Sequence, residues 1–173
     1  MDDIFISDLN KRPFQLRLYP DAVLRRKSER VESFTTELDD FMFAMLAFMK
    51  DNNGIGLAAP QVGIGLRAVV VEIDERPIML ANPEIVNRTE ALDRKEEGCL
   101  SLPDNSYDVE RNRFIEVKAK NTSGGRLHFE AEGLFARVLQ HEIDHLDGIL
   151  IRDTCCGYET SVASNRKTPS AYL

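Results

Sequence analysis

The chain has no tryptophan, only three cysteines and only three histidines among its 173 residues. Cys155 and Cys156 are adjacent and Cys99 stands alone, so no disulfide framework can be drawn. No apolar run approaches the roughly 18 residues of a membrane span. Basic residues are outnumbered, 22 Lys and Arg against 29 Asp and Glu, and the net charge of −7 argues against nucleic acid or an anionic membrane as partner. The opening Met1-Asp2-Asp3-Ile4-Phe5 is acidic, unlike a secretory signal or an Arg-rich transit peptide. Together these absences predict a reduced, cytoplasmic chain. What remains, 43% hydrophobic and 29% charged, suits an ordinary globular protein with one substantial core.

With histidine this scarce, the placement of two of them carries weight. Gln140-His141-Glu142-Ile143-Asp144-His145 puts two histidines four apart, so on a helix they project from one face, a turn apart. Their imidazoles can share one divalent cation, and Glu142 lies on the same side as a general base for water, the H-E-x-x-H arrangement. The bland alternative is a surface helix with two solvated histidines. A catalytic site of this kind needs a third protein ligand and one open position. The longer histidine pattern that Gly148 fits would place that ligand at position 151, which is Ile151. Glu159, in a polar tail, is available in principle, and His128 falls on an alternating stretch as a cross-strand residue. Cys99, within Glu96-Glu97-Gly98-Cys99-Leu100-Ser101-Leu102-Pro103, is the best candidate. A thiolate is a strong ligand for zinc and ferrous iron, and Gly98 lets the backbone approach a neighbour closely.

The rest of the chain supplies elements to carry these residues. Residues 1–13 form a loosely held arm, 16–20 a short alternating stretch, and 21–31 a turn or short helix. Thr35 and Thr36 offer N-cap hydroxyls to a helix in which Leu38, Phe41, Met42, Met45, Leu46 and Met49 recur at spacings of three and four. Asn52-Asn53-Gly54 closes it with residues that tolerate left-handed geometry. Gly54, Gly56 and Ala59 imitate a dinucleotide fingerprint, but a helix precedes them and a β-rich run follows, the reverse of what that motif requires. The better account is a loop whose glycines let an extended substrate lie against exposed backbone, with Gln61 presented on a stiff Pro60 frame. Residues 67–73 and 77–86 pair across a turn at 74–77, whereas the charged run 88–97 is solvated. Residues 113–120 and 126–131 continue the sheet. A helix then runs from near Glu132 to 145–147, ahead of Gly148, and packs through Leu134, Phe135, Val138, Leu139 and Leu146. The expected fold class is α+β, with antiparallel or mixed sheets around a metal-bearing helix. It forms a single catalytic domain over 1–153, and a polar, extended or mobile tail over 154–173.

Over about residues 15–153 the chain resembles the peptide deformylase family. Gly54-Ile55-Gly56-Leu57-Ala58-Ala59-Pro60-Gln61, Glu97-Gly98-Cys99-Leu100-Ser101 and Gln140 to His145 look like its three motifs, in order and at its spacing. Tyr19-Pro20-Asp21-Ala22-Val23-Leu24-Arg25 resembles its N-terminal signature. The resemblance implies hydrolysis of the formyl group from the N-terminal methionine of nascent polypeptides, with release of formate, possible work near the ribosomal exit tunnel, and no membrane or direct nucleic-acid role. It implies one divalent metal per chain, ferrous iron as the native ion, with zinc, nickel or cobalt able to occupy the site. Cys99, His141 and His145 match the ligands, Glu142 the acid/base, and Gln61 with the Leu100 amide the oxyanion donors. A methionine slot would be walled by Ile55, Glu97, Leu134, Val138 and the His141 ring, with backbone contacts from Ile55, Gly56 and Gly98, and Arg137 narrowing its mouth. The chain departs from the best-known bacterial type by ending in about twenty polar residues instead of a long helix.

Two other readings compete. A metallopeptidase with Glu159 as third ligand would leave Cys99 without a role. A metal-stabilised binding module, closed by a fourth protein ligand, would draw on the vicinal Cys155-Cys156 pair.

Overall fold

The computed structural model describes residues 13–155, 160–161 and 173. The N-terminal arm, Cys156, Glu159 and nearly all of the polar tail lie outside these residues. After a 3-10 turn, Ala22–Arg25, comes helix α1, Thr36–Asp51. Strand β1, Gly56–Ala58, leads through a second 3-10 turn, Ala59–Val62, to β2, Ala68–Ile73, and β3, Arg76–Arg88. Strands β4, Leu92–Cys99, and β5, Leu102–Asn112, precede β6, Phe114–Lys120, and β7, Arg126–Glu132. Helix α2, Gly133–Leu146, a short α3, Ile151–Thr154, and β8, Thr160–Ser161, complete the order.

Five strands form one sheet in the order β1-β2-β3-β6-β7, and β4, β5 and β8 form a second. Every pairing between these strands is antiparallel, within the α+β class expected. The β2–β3 turn leaves two residues, Asp74 and Glu75, both at positive φ (50° and 61°), the geometry that matches strand twist in a tight hairpin. The turn between β6 and β7 is held by Asn121, whose Oδ1 accepts from Gly125 N at 2.7 Å and Ser123 N at 3.1 Å.

Strand β2 explains where the helices go. Its residues Ala68 to Val71 are all fully buried, so both faces are covered and the strand reads as a continuous apolar run. Ala68 and Val70 join the cluster built by Leu38, Phe41, Met42, Met45 and Met49 of α1. Val69 and Val71 join the cluster of Val138, Leu139 and Leu146 of α2. The two helices therefore lie against opposite faces of the same strand. A third cluster, Leu24, Cys99, Leu102, Tyr107, Val109, Leu150 and Ile151, fills the space under the β4–β5 hairpin.

Two local expectations change. The charged run 88–97 is not simply solvated: β3 extends to Arg88, and β4 pairs with β5 from Leu92↔Asn112 to Gly98↔Ser106. Charge along this edge strand hides the strand period, because only the end of β4 is buried. Thr35 occupies the N-cap of α1 but makes no side-chain cap bond. Beside it, Glu37 is held below the usual carboxylate range, with the Thr35 hydroxyl as the first cause.

The C-terminus of α2 is anchored by a buried arginine. Arg67 donates to Asp147 Oδ1 at 2.7 Å, to the Leu146 carbonyl at 3.4 Å and to the Pro83 carbonyl at 3.3 Å, satisfying a helix-end carbonyl with a cation. Nearby, the register of β3 shifts after Ala81, and Asn82 adopts φ 52°. Its side chain accepts from Val31 N at 2.8 Å and donates to Val31 O at 2.9 Å, so it stands in for a missing strand neighbour. Among the described residues no helix is long and apolar enough to cross a membrane. Replacing Asn82 with alanine leaves two buried backbone groups without partners, and a loss of about 2–4 kcal/mol is expected from the urea midpoint at unchanged m-value. A loss below about 0.5 kcal/mol would mean that water takes over the amide's role.

Candidate active site

The site forms where the tip of the β4–β5 hairpin meets the middle of α2. Only Leu100 and Ser101 connect the two strands, and the register shifts between Gly98 and Cys99, so that Cys99 faces Leu102 across the tip. This irregularity turns Cys99 inward, where it is fully buried. Helix α2 is buried almost all round from Ala136 to Leu146, so His141 and His145 face the protein and not solvent, each 1% exposed. Cys99 Sγ lies 3.2 Å from His145 Nε2. One ligand atom each from Cys99, His141 and His145 can be chosen so that all lie within 4.8 Å of one another, the one such cluster among the described residues.

Glu97, two residues before the cysteine, fixes how His141 is presented. Glu97 Oε2 is 3.1 Å from His141 Nδ1, which assigns the proton of the ring to Nδ1 and leaves Nε2 as the free lone pair. That Nε2 is buried without a hydrogen-bond partner. An orphaned imidazole nitrogen beside a second imidazole and a thiol is a donor set for a zinc-like or ferrous ion, and the residues fit a divalent cation.

Electrostatics favour neutral groups until such a charge arrives. Burial first, and the Glu142 carboxylate second, push the Cys99 thiol pKa up. Burial likewise pushes Glu142 well above the ordinary carboxylate range, with Glu97 adding to it and Arg111 opposing. Burial and the neighbouring His141 push His145 well down. A cation reverses the balance at the sulfur, since a coordinating thiol is deprotonated. Glu97 is the exception. Burial alone would raise it, but hydrogen bonds from His141 and Arg111 outweigh that and hold its pKa at about 2.

Glu142 is fully buried, and neither carboxyl oxygen has a hydrogen-bond partner. Strand β1 packs directly onto it. A Cβ placed on Gly56 would overlap the Glu142 carboxyl and come within 2.8 Å of Val138 Cγ1, so the glycine permits an approach no other residue could make. Gln61, in the 3-10 turn, is fully buried too. Its Oε1 accepts from Ala58 N at 2.8 Å, which orients the amide and aims Nε2 at Cys99 Sγ, 3.8 Å away.

The other expected site residues have partners of their own. Glu97, expected as a wall of a side-chain slot, and Arg137, expected at its mouth, have their charged ends bound to each other. Arg137 Nη1 donates to Glu97 Oε1 at 2.6 Å, and Arg111 grips both oxygens of the same carboxylate at 3.0 Å. Val138 is fully buried, with Ile55 packed at the edge of its cluster, whereas Leu134 is 51% exposed. The Leu100 amide donates to the Leu173 carbonyl at 3.4 Å, and Leu173 is buried within the same cluster as Val138. His128 lies on β7, paired to Glu116 at 2.5 Å and remote from the cluster. Cys155 donates its thiol to the Arg152 carbonyl at 3.2 Å. Arg111 and Asp144, joined by an ion pair, were not singled out from sequence, because no spacing rule links a residue on a hairpin to one on a distant helix.

A thiol, two imidazoles and an unpartnered carboxyl in one buried cleft define a metal-dependent hydrolase site. Comparison with known proteins narrows the class. The family model for polypeptide deformylase matches residues 13–160. Over 139 residues the chain is 49% identical to the peptide deformylase of Caldicellulosiruptor bescii, covering 80% of this chain and 83% of that one. It is 45% identical to peptide deformylase 1 of Clostridium acetobutylicum over 139 residues, 80% of this chain and 91% of that one. The crystal structure of the Thermotoga maritima peptide deformylase superposes with a TM-score of 0.83 at 39% identity, covering 85% of this chain and 100% of that one. The Synechococcus elongatus peptide deformylase, solved in complex with actinonin, gives a TM-score of 0.82 at 40% identity, over 86% of this chain and 81% of that one. This chain belongs to the polypeptide deformylase family.

Proposed function

We propose that the chain removes the N-formyl group from the initiator methionine of newly made polypeptides and releases formate. The observation that carries this reading is the convergence of Cys99, His141 and His145 beside the unpartnered carboxyl of Glu142. The catalytic unit is residues 1–153, with 154–173 as an appended tail, and the setting is the cytoplasm near the ribosomal exit. Cys99, His141 and His145 hold one divalent cation, ferrous iron natively, with zinc, nickel or cobalt as alternatives. When bound, such a cation supplies Lewis acidity, polarising a carbonyl and bringing the pKa of water down toward ~7.

The chain's own groups account for the remaining steps. Strand β1 is the edge of its sheet, so a peptide laid along it can extend the sheet through backbone bonds at Ile55 and Gly56, with Gly98 opposite. Ile55, Val138 and Leu134 with the His141 ring receive the methionine side chain. With a cation bound, Glu142 would be ionised, and its carboxylate takes a proton from the attacking water as oxygen adds to the formyl carbon. The carbonyl oxygen then carries negative charge, which the Gln61 amide and the Leu100 N–H stabilise, each donor worth roughly 3 kcal/mol in comparable sites. The C–N bond breaks, Glu142 delivers its proton to the amine, and formate leaves. The raised affinity of Glu142 for a proton suits both transfers. The metallopeptidase alternative is not favoured, because Cys99 fills the position that it left open to Glu159.

Glu142→Ala is expected to retain bound cation at wild-type stoichiometry while formate release from formyl-Met-Ala-Ser falls by at least about 1,000-fold. Metal analysis showing an empty site would make Glu142 a ligand and overturn its role. The Leu100 amide must also leave Leu173 to serve substrate. Leu173→Asp puts a charge where the buried leucine packs and so draws the residue, with its competing carbonyl, out of the cluster, and it is expected to lower KM by a factor of about 3 or more at unchanged kcat. An unchanged or raised KM would mean that Leu173 does not compete.

A further inference from the structure

Arg137 is a buried charge that the reaction above leaves without a task. It is 4% exposed and sits on α2 one turn before His141, which in turn precedes His145 by one turn, so the three share a face. Nη1 donates to Glu97 Oε1 at 2.6 Å and to the Val109 carbonyl at 3.0 Å. Nη2 donates to the Asp93 carbonyl and stands 3.8 Å from the Asp93 carboxylate. The guanidinium thus faces the β4–β5 hairpin.

Glu97 accepts four hydrogen bonds. Oε1 takes Arg111 Nε at 3.0 Å and Arg137 Nη1 at 2.6 Å, and Oε2 takes Arg111 Nη2 at 3.0 Å and His141 Nδ1 at 3.1 Å. Arg111 is shared, because its third nitrogen is bound to Asp144. Arg137 makes the shortest of the four bonds, and it comes from the helix that carries the histidine. A carboxylate fixed on Oε1 from that helix cannot rotate Oε2 away from His141 Nδ1. Partners that hold the far nitrogen of a ligating histidine set its tautomer and ring orientation, and losing them typically weakens metal affinity 10–100-fold.

We propose that Arg137 is a positioning residue for the cation site, acting through Glu97 on His141 and not on the substrate. The proposal deepens the deformylase reading and rests on it only for the effect on turnover. The metal-affinity effect rests on the geometry alone.

The test is competition for zinc between the reduced metal-free protein and a chromophoric chelator, for wild type, Arg137→Leu, Arg137→Lys and Glu97→Gln. Arg137→Leu is expected to weaken zinc affinity about 10-fold or more, while KM for formyl-Met-Ala-Ser on fully loaded protein stays at the wild-type value. Arg137→Lys retains one N–H donor toward Glu97 and should recover part of the affinity. Adding Arg137→Leu to Glu97→Gln should cost nothing further, because one pathway has already been cut. If Arg137→Leu does not fold, Arg137→Lys carries the test, with a smaller loss of affinity expected. Unchanged zinc affinity with a raised KM would make Arg137 a substrate contact, and unchanged affinity with only a lower melting temperature would make it structural. Either outcome overturns the proposal. Absence of formate release by loaded wild type would sink the deformylase reading instead and leave the affinity comparison standing.

Discussion

A single buried carboxylate, Glu97, ties together the two halves of the molecule. Its side chain is on the end of β4, and its partners are Arg111 on β5 and Arg137 and His141 on α2. Removing one partner from a buried ion cluster leaves an uncompensated charge, which typically costs 3–5 kcal/mol, so the cluster admits one arrangement. That arrangement fixes the hairpin tip against the helix. Cys99 lies two residues beyond Glu97, and its sulfur meets His145 because the carboxylate has already placed His141 a turn away. Such clusters add little net stability compared with apolar packing of the same volume. Their consequence here is geometry.

The apolar architecture makes that geometry possible. Strand β2, covered on one face by α1 and on the other by α2, is the layer from which β1 is displayed as an edge. β1 brings Gly56 against Glu142, and the following 3-10 turn brings Gln61 against Cys99. Three separate chain segments thereby deliver a ligand set, a proton carrier and an amide donor to one buried site. Burial favours the neutral forms of the thiol, of the Glu142 carboxyl and of the His145 ring, and a divalent cation in their midst would shift the thiol and the carboxyl toward their ionised forms.

Much of this was legible in the sequence. The methionine-rich stripe of α1, the β2–β3 and β6–β7 pairs and the span of α2 followed from periodicity and turn chemistry, and the histidine spacing identified the face of α2 that holds a cation. Cys99 emerged from ligand chemistry because Ile151 closed the simplest alternative. The β4–β5 hairpin did not emerge, since Leu92 to Glu97 carries charge on its solvent side and Leu102 to Asn112 offers few apolar positions. The fates of Glu97 and Arg137 were equally hidden. The family resemblance implied a pocket lining, but an ion cluster between a strand and a helix depends on three-dimensional register that no local spacing encodes. The same holds for Leu173, whose carbonyl meets the Leu100 amide although the two residues are far apart in sequence.

The central claim is that this cleft recognises a formyl carbonyl through Gln61, the Leu100 amide and a bound cation. A formyl carbon carries only hydrogen where an acetyl carbon carries a methyl, and acetyl carbon is also the weaker electrophile. The most direct measurement is steady-state hydrolysis of formyl-Met-Ala-Ser and acetyl-Met-Ala-Ser by protein loaded anaerobically with ferrous iron. The formyl peptide should be preferred by at least about 100-fold in kcat/KM, roughly 2.7 kcal/mol of transition-state free energy. Comparable rates on the two peptides, or no formate from the first, would contradict the account.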